Sequence, residues 1–374
     1  MTARRAVARV NVAAIERNCA RLRGELKQGV ELCVVVKANG YGHGAVQSAR
    51  AALAGGASWL AVAGAGEARE LREAGMRGAR VLVMGALSVV ELGEALAADA
   101  DVVVWSERQV EAVAAAGGGR VHVKLDSGMG RLGTRDPAEA SRSVAAARRA
   151  DGVELAGVMT HFATADDRHD GGFFERQLEA FTDWAQLVKA EQPEIVVHAA
   201  NSAALLREEG SHFDMVRCGI AVYGMDPFGQ DPTAVGLEPA LELSSYVAEV
   251  KRYGARESAG YGRRFVAERD TWLAVLPLGY GDGWRRGLSN NGDVLIGGHR
   301  RPLVGTVSMD NLTVDLGPDP AGELGREAIL IGVQGAERIT AEQVAQRLET
   351  INYEVTCALT PRVPRLYHRD GESE

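Results

Sequence analysis

A lysine at the end of an apolar run is the first residue whose surroundings suggest chemistry. Lys37 follows three valines and precedes the string Ala-Asn-Gly-Tyr-Gly-His-Gly, which ends at Gly44. Glycines let a backbone approach a ligand closely, and burial lowers the pKa of a lysine, so that its neutral amine can form a Schiff base. A strand end followed by a turn would explain a short Lys-Ala-Asn tripeptide, but the full string is more specific than that.

A second glycine-rich segment, KLDSGMGRLG, begins at Lys124 and contains Arg131. Gly128, Gly130 and Gly133 have the G-x-G-x-x-G spacing of a dinucleotide-binding turn, so this alternative has to be weighed. Two features oppose it. The following Asp-Pro pair predicts that the next helix begins later than such a turn requires, and a buried Lys124 is foreign to the motif.

Polar residues also end the later apolar runs. His161 follows the sixth run, Ser202 follows the seventh, and Arg217 lies within the eighth. Residues 161–170 contain two histidines and three aspartates, which could suggest a metal site. Because the segment is polar and lacks tight ligand spacing, we interpret it as a solvated loop and expect no metal.

Eight short apolar runs are the expected strands that carry these residues. Their nearly continuous hydrophobicity is typical of parallel strands buried on both faces, and the Ala-, Glu- and Arg-rich segments between them favour helices. The predicted strands are Leu32–Val36, Trp59–Ala63, Ala79–Met84, Asp101–Trp105, Val121–Leu125, Leu155–Met159, Ile195–Ala199 and Met215–Tyr223. The predicted helices are Ala45–Ala54, Gly66–Ala74, Glu107–Ala116, Ala138–Ala150 and Phe174–Ala190.

This alternation fits an α/β fold of the (β/α)8 TIM type, although an open doubly wound sheet would show the same order of elements. The positions of the polar residues favour the barrel. Lys37, Arg131, His161, Ser202 and Arg217 all lie at or shortly after the carboxyl ends of predicted strands. Barrel enzymes build their sites at that end, and they often hold phosphate with the loops after strands seven and eight.

After about residue 236 the sequence pattern changes to short apolar runs separated by Gly, Asp, Asn and Pro. We therefore predict a barrel over residues 1–235 and a mostly β domain over residues 236–374. A first strand at about residues 6–12 is a candidate to pair with this second domain. Asn291-Gly292 is a hairpin signal, and one helix is expected at Ala341–Glu349. The predicted strands are Leu241–Val250, Trp272–Pro277, Asp293–Ile296, Pro302–Thr306, Asn311–Asp315 and Ala328–Gly332.

Composition excludes several classes of function. The net charge of −8 opposes a nucleic-acid surface, which needs clustered Lys and Arg. The four cysteines are scattered, which suits a reducing compartment. We see neither a signal peptide nor an apolar stretch of the ~18 residues that a membrane span requires. The expectation is therefore a cytoplasmic protein without a nucleic-acid or membrane partner.

From about Ala8 to Tyr367 the chain resembles the alanine racemase family, whose barrel-type members use pyridoxal 5′-phosphate. The motifs that carry the resemblance are, in order, VVKANGYGHG, KLDSGMGRLG, THFATAD, HAANSAA, DMVRCGIAVYG, LGYGDGW, GTVSMD and INYEVTC. Small departures are Gly40 and Gly281, where alanine is common in the family, and Ser308, where the family varies between small residues and cysteine.

The resemblance implies a role for each matching residue. Lys37 would attach the cofactor, and Lys37 and Tyr261 would be the two opposed bases, with Tyr261 held by His161. Arg217 would donate a hydrogen bond to the pyridine nitrogen, which limits electron withdrawal and side reactions. Arg131 would face the cofactor phenolate and the substrate carboxylate, oriented by a carbamylated Lys124. The residues that would hold the phosphate are Tyr41, Ser202, Gly219, Ile220 and Tyr353.

The resemblance also implies an assembly and an activity. Met309 and Asp310 would line the substrate entry of a head-to-tail homodimer in which each site is completed by the other chain. The expected reaction interconverts L- and D-alanine and supplies D-alanine for peptidoglycan. Three alternatives stay open: a racemase of broader specificity, a decarboxylase with the same architecture, and a non-catalytic cofactor-binding protein. The last would have no need of a second base such as Tyr261.

Overall fold

The computed structural model describes residues 4–320 and 322–373, and the chain forms two compact units. The barrel unit is Ile15–Val222. The β unit is formed by Met1–Ala14 and Tyr223–Glu374, as far as these segments are described. The chain begins with β1 (Ala6–Asn11) and α1 (Val12–Gly24). Among the described residues, no helix has both the length and the apolar character needed to cross a membrane.

Eight parallel strands close the barrel in chain order. They are β2 (Glu31–Val35), β3 (Trp59–Val62), β4 (Arg80–Val83), β5 (Asp101–Val104), β6 (Gly119–Lys124), β7 (Val153–Met159), β8 (Val196–His198) and β9 (Met215–Cys218). The last strand pairs with the first, in the register Cys33 with Arg217. The predicted barrel is therefore confirmed, and the open doubly wound sheet is excluded.

Helices connect the barrel strands. They are α3 (Ala45–Ala54), α4 (Ala65–Glu73), α5 (Val89–Ala97), α6 (Glu107–Ala115), α7 (Pro137–Arg149), α8 (Phe173–Glu191) and α9 (Ser202–Arg207), preceded by the short turn α2 (Lys37–Tyr41). The predicted start of α7 is correct, because Asp136 caps it and Pro137 occupies its first turn. The sequence did not predict α1, α5 or α9.

The predicted eighth strand was too long. It ends at Cys218, and Ile220–Tyr223 is a 3-10 turn instead of a continued strand. The change of conformation occurs at Gly219, where the backbone turns out of the sheet. This is one of the positions expected to hold phosphate, so the strand ends where the candidate site begins.

The β unit is built on an eleven-stranded sheet. Besides β1, its strands are β10 (Leu241–Tyr246), β11 (Glu249–Tyr253), β14 (Thr271–Leu276), β15 (Asp293–Ile296), β16 (His299–Val304), β17 (Leu312–Gly317), β18 (Glu327–Gln334), β19 (Glu337–Ile339), β20 (Arg365–Arg369) and β21 (Glu372–Ser373). The strand order is β11-β14-β17-β16-β15-β18-β10-β1-β20-β21, with β19 paired to β18. A separate pair is formed by β12 (Ser258–Ala259) and β13 (Phe265–Val266). Strand β1 pairs with β10 and β20.

Three local predictions for this unit were wrong. The hairpin between β15 and β16 turns at Gly297 and Gly298, whose φ angles of 59° and 79° suit a primed turn, and not at Asn291-Gly292. The single strand Leu241–Val250 is two strands, because the chain leaves β10 and pairs with β14 from Glu249 onward. The predicted helix Ala341–Glu349 is present as α10 (Ala341–Arg347), but the expectation of a single closing helix was wrong, because α11 (Asn352–Cys357) follows it.

Candidate active site

Lys37 follows β2 and opens a left-handed turn. The φ angles of Ala38, Asn39 and Tyr41 are 53°, 54° and 53°, in a region that costs an L-residue roughly 1–2 kcal/mol. Glu67 stabilises the turn, because its Oε1 accepts a hydrogen bond from the Ala38 N–H at 2.7 Å. The other oxygen of Glu67 accepts from the N–H just after β3 at 2.7 Å. The strained backbone is thus anchored to a neighbouring strand end, and Lys37 is held half-buried.

Arg217 on β9 is a deeply enclosed cation, with 2% of its surface exposed. Its Nη2 carries two protons, which it donates to the carbonyl oxygens of Thr160 and Ala199, at 2.9 Å in each case, while sharing one of them with His161 Nδ1 at 3.2 Å. Its Nη1 donates to His198 Nδ1 at 2.9 Å. Burial lowers the pKa of Arg217 to about 10, so the guanidinium remains protonated at neutral pH and can only donate hydrogen bonds.

The contact with Arg217 determines the tautomer of His161. Since a guanidinium has no acceptor, His161 Nδ1 must accept, and the ring proton is on Nε2. Burial, and then the charges of Arg217 and Lys124, lower the pKa of His161 well below its ordinary value. The imidazole is therefore neutral, with one N–H donor that Arg217 does not use.

Lys124 ends β6 and is 3% exposed. Burial, followed by the charges of Arg217 and Arg131, lowers its pKa to about 8, although Asp126 acts in the opposite direction. A lysine with this pKa carries an appreciable neutral fraction near neutral pH. Its amine can therefore act as a nucleophile without a separate base.

The glycine-rich segment after β6 folds around its own carboxylate. Asp126 Oδ1 accepts from the N–H groups of Gly128 and Gly130 at 3.0 and 3.1 Å, and Oδ2 accepts from Arg131 N–H at 3.2 Å. Burial raises the pKa of Asp126, but the backbone N–H groups outweigh it and lower the pKa overall. These N–H groups are therefore committed to Asp126, which argues against a dinucleotide phosphate at this loop.

A compact cradle forms where α9 begins and β9 ends. Ser202 Oγ accepts from the N–H groups of Gly219 and Ala221 at 3.0 and 3.5 Å. Tyr41 is 8% exposed, and a Cβ added at Gly219 would lie 2.4 Å from its hydroxyl oxygen. Glycine is thus required for the tyrosine hydroxyl to lie against the backbone. A hydroxyl that accepts from N–H groups can still donate its own proton, so Ser202 is placed to donate to a phosphate oxygen.

The charges at the mouth of the barrel favour an anionic ligand. Lys37, Lys124, Arg131 and Arg217 all contribute to the lowered pKa of His161, which means that four cations act on one neutral ring. The carboxylate of Asp126 is already solvated by backbone N–H groups. A ligand with several negative charges, such as pyridoxal 5′-phosphate, would complement this cluster, so the residues present fit that cofactor.

The remaining expected site residues belong to the β unit, and two of them have mostly exposed side chains. Tyr261 is 73% exposed and Met309 is 51% exposed. Tyr261 lies in a 3-10 turn after β12, and its carbonyl oxygen accepts from Thr306 Oγ1 at 2.7 Å. Asp310 accepts a hydrogen bond from Arg362 at 2.5 Å, which lowers its pKa. Tyr353 lies on α11 and is half-buried.

The structure therefore brings the barrel residues of the expected site together, and it assigns the others to the β unit. The barrel members are Lys37, Tyr41, Lys124, Arg131, His161, Ser202, Arg217, Gly219 and Ile220. The β-unit members are Tyr261, Met309, Asp310 and Tyr353.

Sequence reasoning missed Glu67, which anchors the Lys37 turn, and it gave no role to Asp101, His122 or His198. A signal did exist, since His122 interrupts an apolar strand two residues before Lys124 and so points to the same side of the sheet.

Comparisons with known proteins match the whole architecture. Family models described as the N-terminal and C-terminal domains of alanine racemase match residues 10–227 and 240–367. The chain is 41% identical over 369 residues to an alanine racemase of Geobacillus stearothermophilus, covering 97% of this chain and 93% of the relative. It is 40% identical over 372 residues to one of Halalkalibacterium halodurans, covering 97% and 95%.

Solved structures show the same similarity. The alanine racemase of E. faecalis superimposes with a TM-score of 0.90 at 37% identity, covering 98% of each chain. The alanine racemase of Streptomyces coelicolor superimposes with a TM-score of 0.91 at 38% identity, covering 97% of each chain. The similarity therefore extends over both units.

Proposed function

The chain belongs to the alanine racemase family, an isomerase family, and from that membership we propose that it interconverts L-alanine and D-alanine with pyridoxal 5′-phosphate. The observation that carries the proposal is the cluster of cations around the buried Arg217, together with Lys37 at the carboxyl end of β2. The cluster complements the charges of the cofactor, and the lysine supplies the amine that would attach it.

Most of the residues that would hold the cofactor belong to the barrel unit. Lys37 would attach the cofactor through its ε-amine, and Arg217 would donate to the ring nitrogen. Tyr41, Ser202, Gly219, Ile220 and Tyr353 would hold its phosphate. When bound, pyridoxal phosphate acts as an electron sink that acidifies the α-hydrogen of an attached amino acid. Because Arg217 keeps its proton, it would leave the ring nitrogen unprotonated and restrain side reactions.

Racemisation needs one proton-transfer group on each face of the substrate. The amine of Lys37, once displaced by the substrate, would exchange a proton on one face, and the hydroxyl of Tyr261 would exchange one on the other. A phenol ordinarily retains its proton at neutral pH, so Tyr261 requires a neighbour that stabilises its anion. The Nε2–H of neutral His161 would be that donor, and Arg131 would hold the substrate carboxylate.

The high exposure of Tyr261 and Met309 supports a homodimer in which each site is completed by the other chain. In that assembly Met309 and Asp310 would line the substrate entry. We expect the dimer to be the active species. Supply of D-alanine for peptidoglycan, in the cytoplasm, is the cellular role that this activity predicts.

Lys124 is proposed to be carbamylated. Its lowered pKa of about 8 provides the neutral amine, whose nitrogen would add to the carbon of CO2 with loss of one proton. The resulting carbamate would place a negative charge beside Arg131. Protein incubated with 13C-labelled bicarbonate should show a carbamate carbon signal by NMR that is absent from Lys124→Ala. An identical spectrum for the two proteins would contradict the modification.

The proposed function is tested by assaying purified, cofactor-loaded protein with L-alanine and measuring the D-alanine formed. L-serine, L-lysine and L-glutamate serve as a specificity panel, and the visible absorbance of the bound cofactor is recorded in parallel. Alanine turnover with that absorbance supports the proposal. Comparable turnover of serine or lysine would indicate a broader racemase.

Three other results would contradict the proposal. A coloured protein that releases CO2 from amino acids would be a decarboxylase, and a coloured protein that changes no amino acid would be a carrier. A protein that takes up no cofactor would overturn the assignment of Lys37 itself.

A further inference from the structure

A chain of buried hydrogen bonds runs from Arg217 through the inside of the barrel. Arg217 Nη1 contacts His198 Nδ1 at 2.9 Å, His198 Nε2 contacts His122 Nδ1 at 2.8 Å, and His122 Nε2 contacts Asp101 Oδ2 at 3.0 Å. Asp101, His122 and His198 are fully buried, and Arg217 is 2% exposed. We call these four residues the relay.

The relay has only one consistent direction. Arg217 can only donate, so His198 Nδ1 accepts and the proton of His198 is on Nε2. That proton is donated to His122 Nδ1, and His122 in turn donates from Nε2 to the carboxylate of Asp101. Burial and the charge of Arg217 lower the pKa of His198 well below its ordinary value. His198 is therefore neutral, and the hydrogen-bond pattern puts the proton of each ring on Nε2.

Asp101 is the fixed acceptor at the end of the relay. Its Oδ1 accepts from Arg120 Nε at 2.7 Å, and Arg80 pairs with its Oδ2. Burial raises the pKa of Asp101, but the hydrogen bonds from His122 and Arg120 outweigh it and lower the pKa. The carboxylate thus stays charged, and it cannot reverse the direction of the relay because it has no proton to donate.

The barrel reserves space for the His122 ring. The pairing of β6 with β7 shifts in register at His122, which brings Gly157 opposite it. A Cβ at Gly157 would lie 2.4 Å from His122 Nδ1. On another side, Trp59 meets the ring edge to face, with ring centroids 5.7 Å apart. The His122 ring therefore cannot turn away from His198 without displacing the backbone at Gly157 or the Trp59 ring.

We propose that Asp101 and His122 are positioning residues that fix Arg217 through His198. This inference rests on the proposed function, in which Arg217 faces the cofactor ring. If His198 adopted its other tautomer, an N–H group would oppose the guanidinium N–H, and the two donors would move apart. The relay excludes that arrangement, so Arg217 is held in place before the cofactor binds.

The tautomers can be measured directly by 15N NMR on protein with labelled histidine rings, both free of cofactor and loaded with it. We expect His122 and His198 each to carry a single proton, on Nε2, in both forms at neutral pH. A proton on Nδ1 of either ring, or a doubly protonated ring, would overturn the inference.

Three variants test the functional consequence. His122→Phe retains a ring but removes the acceptor for His198, and we expect kcat to fall on the order of 10- to 100-fold, as for other groups that orient an imidazole. KM for alanine should change less than kcat, and the absorbance of the bound cofactor should shift. His122→Gln should recover part of the loss, because its amide can accept from His198 and donate to Asp101.

His212→Phe is the matched control. His212 is also buried in the barrel unit, where its Nε2 donates to the Leu205 carbonyl oxygen at 3.0 Å. We expect this variant to retain its kcat and its cofactor absorbance. A His122→Phe protein that is as active as His212→Phe, with unchanged absorbance, would refute the positioning role.

Failure of the inference is distinguishable from failure of the proposed function. If the wild-type protein racemises no amino acid, the function is wrong, and the NMR measurement still decides whether the relay has the inferred direction. If the wild type racemises alanine and His122→Phe does so equally well, the function stands and the inference fails.

Discussion

The two units provide their site residues in different ways. In the barrel unit, Arg217 and Lys124 are buried, and four hydrogen bonds hold Arg217 in place. In the β unit, Tyr261 and Met309 are mostly exposed. Arg217 and Lys124 are therefore organised by the barrel unit itself, whereas the side chains of Tyr261 and Met309 need an environment from elsewhere. Under the proposed function this difference implies that the barrel would bind most of the cofactor and that Tyr261 of the β unit would complete catalysis.

The largest effect is expected from a substitution of Tyr261, which tests this difference between the units. Tyr261→Phe removes the hydroxyl of the proposed second base, and we expect kcat to fall roughly 10²- to 10⁴-fold, the usual value of a positioned acid or base. Since the barrel would still bind the cofactor, its visible absorbance should be unchanged. The measurement pairs the racemisation rate with the absorbance spectrum.

Lys37→Ala is the matched variant from the barrel unit. It should lose both the activity and the characteristic absorbance, because the attaching amine is gone. Loss of cofactor from Tyr261→Phe, or full activity in that variant, would contradict the division between the units.

The sequence was sufficient to predict the barrel and most of its strands, because polar residues at the ends of apolar runs indicate one edge of a parallel sheet. It could not locate the relay. Asp101 and His122 lie on different strands, and their contact depends on the register shift that brings Gly157 opposite His122. Such a shift leaves no simple pattern in the sequence.

The errors in the β unit have a similar cause. The turn at Gly297-Gly298 competes with the Asn291-Gly292 pair, and local preference alone does not rank the two. The pairing of β15 with β16 determines where the turn lies, since Ile296 is opposite His299 across it. The roles of Tyr261 and Tyr353 came from family resemblance, because their local sequences would also suit ordinary turns.

A smaller effect is expected at the cradle of the barrel unit. Gly219→Ala would place a Cβ 2.4 Å from the Tyr41 hydroxyl oxygen, so the tyrosine must move and the cradle must distort. We expect the affinity for pyridoxal phosphate to fall about 10-fold or more, from a loss of about 1–3 kcal/mol typical of overpacking. Titration of the cofactor-free protein, followed by absorbance, measures this.

Gly66→Ala is the control for that substitution. Gly66 lies on α4, and a Cβ there would have nothing within 4 Å. The change should leave cofactor affinity untouched and stabilise the helix slightly. Equal affinities of the two variants would show that the contact between Tyr41 and Gly219 does not shape the cradle.

The smallest effect concerns the pH dependence of stability that the buried His198 gives to the barrel unit. Burial and Arg217 hold the pKa of His198 well below its ordinary value of 6.5. Above pH 6.5 neither the folded nor the unfolded chain protonates this ring, so its contribution is fully present. Below that pH the unfolded chain takes up the proton first, and the free energy of unfolding should fall by on the order of 1 kcal/mol per pH unit.

Denaturant unfolding between about pH 7 and 5 measures this slope. His198→Asn should reduce this slope. A slope unchanged by His198→Asn would show that His198 accepts a proton in the folded barrel, and the buried ring would then be a cation beside Arg217.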